Sequence, residues 1–213
     1  MVKRIGIMAG MLMILTAVGF GQATGSLEKK TAWELSYVNG YFTGGDLGHA
    51  RVQGETVKAE SDGGWLTGLR FGVDGEFLGA EMTAAGVFAD MNLKADQAAF
   101  DADPSLKSAK DARYFLANLN ALWFPAGNYF AEGRVRPFFT AGPGLAYFNS
   151  DFDQIDNETM FDWNVGLGIK FLLGDEGNPT LRVDYRWYQI LGAGNMKDDM
   201  FHQEISVGIG IRF

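Results

Sequence analysis

The apolar residues of this chain fall repeatedly on alternate positions. The clearest run is Phe201 to Phe213. Phe201, Gln203, Ile205, Val207, Ile209, Ile211 and Phe213 share one parity; His202, Glu204, Ser206, Gly208, Gly210 and Arg212 share the other. Period two over this length puts the two sets on opposite faces of a β-strand. A strand in a soluble sheet runs about 5–6 residues, whereas about 9–11 tilted residues cross a bilayer. The uncharged parity carries aromatic residues at both ends, where two membrane–water interfaces would lie. The stretch reads as the closing strand of a membrane β-barrel.

The same alternation recurs along the chain. Ala32 to Thr43 sets Trp33, Leu35, Tyr37 and Tyr41 against Glu34, Ser36 and Gly40. Trp65 to Val73 sets Trp65, Leu69, Phe71 and Val73 against Gly68 and Arg70, and Asp74-Gly75 signals a tight hairpin. The return strand, about Phe77 to Ala89, has Leu78, Ala80, Met82, Ala84 and Phe88 opposite Glu81 and Thr83. In Ala112 to Phe124, Phe115, Leu119 and Trp123 oppose Asn118 and Asn120, but Tyr114, Leu116 and Leu122 blur the parity, so a helix competes there. Arg136 to Phe148 follows, with Pro137 and Pro143 expected at a strand start or a bulge. Phe161 to Phe171 and Leu181 to Tyr188 alternate cleanly before the final strand.

Residues 44–63, 90–111, 149–160 and 192–200 read as long polar loops, alternating with short turns. The pattern predicts an all-β fold: an eight-stranded antiparallel up-and-down transmembrane β-barrel over residues 32–213, with both termini on the short-turn side.

Composition changes this picture little. The 213 residues predict one domain. The chain is 47% hydrophobic and 21% charged, which is also what half-polar spanning strands would average. The absence of cysteine excludes disulfides, thiolate metal sites, a cysteine nucleophile and a lipid-modified cysteine anchor. Lys3 and Arg4 precede an apolar run, Ile5 to Phe20, and small residues around Ala23. This is the layout of a secretory signal peptide, residues 1–23, followed by a short lead, 24–31. Its removal takes the formal charge from −8 to −10, which argues against a nucleic-acid partner.

These segments resemble the eight-stranded outer-membrane β-barrel domains of the OmpA and OmpX type. The likeness rests on Tyr37 to Phe42, ANLNALWFP at 117–125, RPFFTAGPGLAYF at 136–148, NVGLGIKF at 164–171, LRVDYRWY at 181–188 and the terminal GIGIRF. It implies a location in the bacterial outer membrane, contact with its lipid and lipopolysaccharide, and a monomeric barrel. Phe213 occupies the place of the aromatic signal read by the barrel assembly machinery. No peptidoglycan-binding domain is seen after the barrel, so a wall-tethering role is not expected.

The inward parity gathers Glu34, Arg70, Glu81, Arg136, Asp162, Lys170, Arg182, Asp184, Arg186, Glu204 and Arg212. Near-balanced charge in a narrow barrel predicts a mutually paired network, because unpaired buried charge is costly. The reading is a structural or surface-interaction protein whose outer loops meet an unknown ligand. The alternative is a narrow channel for small solutes or ions. A general porin needs about 16–18 strands and is excluded.

His202, Glu204 and Ser206 raise a third reading, a hydrolase similar to lipid A deacylases. Neighbours on one strand face stand about 7 Å apart, too far for a histidine to activate the serine directly, and the set points inward. His49 lies in a predicted loop without a partnered serine. Asp151, Asp153, Asp156 and Glu158 lack the spacing and central glycine of an EF-hand loop. The Gly-x-Gly pairs at 142, 166 and 208 precede no helix that could present its N-terminus to phosphate. No catalytic, metal or cofactor site is expected.

Overall fold

The computed structural model describes residues 31–52, 55–94, 110–127, 133–150, 157–173, 178–192 and 199–213. Eight strands make one closed barrel: β1 (Ala32–Val52), β2 (Glu55–Asp74), β3 (Leu78–Lys94), β4 (Lys110–Trp123), β5 (Val135–Ser150), β6 (Glu158–Leu172), β7 (Pro179–Ile190) and β8 (Met200–Arg212). Each strand pairs antiparallel with its sequence neighbour, and β1 closes on β8 from Glu34↔Arg212 to Phe42↔Glu204. Phe213 fastens the seam by exchanging two backbone hydrogen bonds with Trp33, at 3.0 and 2.9 Å. Along this seam closure leaves no edge strand, while beyond Phe42 the strand β1 pairs with β2 alone.

The segment 112–124 is strand β4, not a helix. Tyr114, Leu116 and Leu122, which blur its parity, point inward and are buried. Two expectations need correction. Most of 44–63 is paired strand rather than loop: β1 and β2 stay in register out to Val52↔Glu55, with one shift between Asp46 and Gly48. His49 therefore sits in β1 opposite Lys58. Backbone pairing needs no apolar face, and this hairpin has none to reveal it. The loops at 90–111 and 149–160 are likewise shortened by β3 reaching Lys94 and β6 starting at Glu158, whereas 192–200 falls between β7, ending at Ile190, and β8, starting at Met200. Asp151, Asp153 and Asp156 lie outside the described residues, as do 1–30. Pro137 does sit near a strand start, but Pro143 stands mid-strand without a register shift. The β4–β5 ladder passes from Asn118↔Gly144 to Ala121↔Ala141 with the two pairs between them missing, as expected where proline offers no N–H.

The alternation decides what faces where. On β8, Ile205, Val207, Ile209 and Ile211 are 49–64% exposed on the outer face, while Glu204 and Ser206 are buried inside. Outer aromatic residues form two girdles. Near the termini lie the stacked pairs Trp33–Phe71 and Trp123–Phe139; towards the long-hairpin end lie Phe161–Trp163 and Tyr185–Trp187. No helix among the described residues is long and apolar enough to cross a membrane.

Candidate functional site: the lumen

Eight strands leave an interior that side chains can fill, and here they fill it in tiers. At the end carrying the termini, Leu122, Phe124 and Phe138 form a small apolar plug. The Arg136 guanidinium lies 4.0 Å from the Phe124 ring centroid, and Arg182 lies 5.3 Å from that of Phe138. At the long-hairpin end, Phe42 stacks on His202 with centroids 4.8 Å apart, and Tyr188, Tyr114 and Phe148 extend the aromatic layer. Leu66, Val87, Leu116, Met160, Ile190 and Met200 are buried at the same end.

Between the two apolar layers lies an ion-pair network. Arg182 grips Asp184 with two bonds of 2.8 Å and reaches Glu81 at 2.5 Å. Arg186 meets Glu81 at 2.8 Å and Asp184 at 3.0 Å. Arg70 contacts Glu204 and lies 2.9 Å from Asp184. Lys170 joins Asp74 at 2.9 Å and Glu34 at 3.3 Å, and Arg136 lies 3.6 Å from Asp74 while donating to the Gly75 carbonyl at 2.5 Å. Glu204 also accepts from Tyr188 Oη at 2.7 Å and from Ser206 Oγ.

Nine of the eleven inward charges expected from parity thus enter the network. Arg212 does not: it is half-buried at the rim, and among the described residues the network's ion pairs do not reach it. Asp162 does not either. It is fully buried but bonds Asn118 instead, at 2.5 Å. One member was missed. Asp74 reads in the sequence as a turn residue, yet its parity continues that of Arg70 and Gly72, and that was the available signal. With Asp74 in and those two out, five carboxylates (Glu34, Asp74, Glu81, Asp184, Glu204) meet five cations (Arg70, Arg136, Lys170, Arg182, Arg186). All ten are at most 2% exposed.

The His202–Ser206 pair is not assembled for catalysis. His202 Nδ1 lies 2.9 Å from the Thr43 carbonyl oxygen, and the Ser206 hydroxyl is spent on Glu204. No group of three or more acidic, histidine or cysteine side chains suited to a metal occurs among the described residues. Outside, the missing ladder pairs at Pro143 underlie a cavity of about 230 Å³ lined by Ala80, Leu119, Ala141, Pro143, Trp163 and Val165, its surface almost entirely carbon.

The chain matches the family model described as outer membrane protein beta-barrel domain over residues 13–213. No curated protein matches it. Among solved structures it is similar to the outer membrane protein OprG from Pseudomonas aeruginosa, with 16% identity over 87% of this chain and 97% of that one and a TM-score of 0.60. It is similar to outer membrane protein AlkL, with 16% identity over 90% and 94% and a TM-score of 0.55. It is also similar to Neisserial surface protein A, with 16% identity over 85% and 97% and a TM-score of 0.52.

Proposed function

Because this chain belongs to the outer membrane protein beta-barrel domain family, we propose that it is an outer-membrane barrel with a closed lumen, acting as a structural or surface-interaction protein rather than a conduit or an enzyme. One observation carries the reading: a balanced network of ten buried charges, sandwiched between an aromatic plug and an aromatic cap. Moving an ion through such a lumen means separating pairs that have no solvent to replace them, and breaking one buried pair costs about 3–5 kcal/mol. The work of the molecule then falls to its outside. Short turns face the periplasm in this class and long hairpins face outward, so the β1–β2 hairpin and its neighbours meet the external ligand, and lipid and lipopolysaccharide contact the wall. The barrel is a monomer. Residues 1–23 are removed on export, and Phe213 is read by the assembly machinery.

Planar-bilayer recording of the purified barrel tests this. The wild-type protein is expected to give no conductance steps. Steps that vanish when Arg70 and Arg182 are replaced would establish the narrow channel instead. For the hydrolase alternative, mass spectrometry of lipid A with and without expression is expected to give one acylation pattern.

A further inference from the structure

Asp162 is a buried lumenal carboxylate that the ion-pair network leaves out. Its Oδ1 accepts from Asn118 Nδ2 at 2.5 Å, and its Oδ2 has no hydrogen-bond partner. In its row and the next, Asn118 Oδ1, Asn164 Oδ1 and both side-chain polar atoms of Asn120 also lack partners, as does the hydroxyl of Thr83. All of these residues are at most 4% exposed. Buried polar atoms are nearly always satisfied, so a group of orphaned acceptors beside an uncompensated carboxylate calls for a ligand.

The register explains the grouping. Thr83, Asn118, Gly144 and Asp162 are successive partners across β3 to β6. One row along, Gly142 pairs with Asn164, and the same β4–β5 register sets Asn120 opposite Gly142. The middle strand, β5, thus contributes glycine in both rows. A Cβ on Gly144 would sit 2.7 Å from Asp162 Oδ2, and one on Gly142 would sit 2.6 Å from Asn120 Oδ1. The two glycines are a floor over which the amides of β4 and β6 fold towards each other. The cavity outside the wall touches Asn120 and Asn164, but its almost wholly carbon surface leaves their polar heads to the lumen.

We propose that this notch binds one alkali-metal cation, held by the Asp162 carboxylate and the side-chain oxygens of Asn118, Asn120 and Asn164. The donor set decides the class. Oxygens alone select a hard cation. One carboxylate neutralises a single positive charge, whereas a divalent ion would keep an uncompensated unit in the lumen. Asp162 repels anions. Thr83, in the same row as Asn118 and Asp162, supplies a hydroxyl for a water that completes the shell.

The test uses the folded barrel and thallium(I), a potassium stand-in visible by anomalous scattering. A peak between Asp162 and Asn120 in crystals grown with thallium is expected; its absence there overturns the proposal. In solution, the thermal midpoint in potassium chloride should exceed that in choline chloride at equal ionic strength by about 2–4 °C. Asp162→Asn should abolish that difference, and Asn120→Asp, with a second carboxylate, should transfer the preference to calcium. Equal midpoints in both salts, with an infrared band of a protonated carboxylic acid that Asp162→Asn removes, would mean that a proton and waters fill the notch, and would overturn the cation site.

Discussion

Glu81 holds two guanidinium groups at once, Arg182 at 2.5 Å and Arg186 at 2.8 Å. Replacing it with glutamine keeps the shape and removes the charge, leaving two buried arginines under-neutralised. Glu81→Gln should lower stability by about 3–5 kcal/mol, read as a shift in urea unfolding of the barrel in lipid vesicles. Replacing Glu81 and Arg186 together by methionine should recover much of that loss, because the uncompensated charge disappears with its partner. A second residue-scale prediction concerns the seam. A Cβ on Gly40 would stand 2.3 Å from the Ile205 carbonyl oxygen and 2.6 Å from Ser206 Cβ. Gly40→Ala should therefore push β1 from β8, and the fraction of unboiled protein migrating as folded barrel on a gel should fall.

At the scale of the element, each strand is written in two halves. Where one face meets hydrocarbon, alternation betrays the strand: β6, β7 and β8 are legible residue by residue, with inward Asp162, Arg182, Asp184 and Glu204 where parity puts them. Where the sequence carries no apolar parity, as from Gly45 to Ser61, the strand is defined by backbone pairing and no residue pattern announces it. Among the lumenal groups, parity identified which side chains turn inward but not which ones touch. Asp162 and Glu204 look equivalent in sequence. Strand order puts the first beside Asn118 and glycines, and the second within reach of Arg70. The lipid face makes a depth-dependent prediction. Val207 stands midway between Phe201 and Phe213 on the outer parity, so Val207→Arg should cost about 2–4 kcal/mol, while Phe201→Arg at the rim should cost about 0–1 kcal/mol. Unfolding titrations of the two variants in the same vesicles compare them.

For the whole molecule, closure makes the two faces a single question. A soluble eight-stranded barrel would fill its interior with the apolar parity and expose the charges. This barrel does the reverse, with ten charges within and a carbon-rich wall without. All five tryptophans, at 33, 65, 123, 163 and 187, lie on that wall at 42–58% exposure. Their fluorescence in bilayers whose acyl chains carry bromine tests the arrangement directly on the unmodified protein. Strong quenching by the brominated chains, with little by acrylamide in the water, is the predicted result. Efficient acrylamide quenching with no effect of bromine would contradict it.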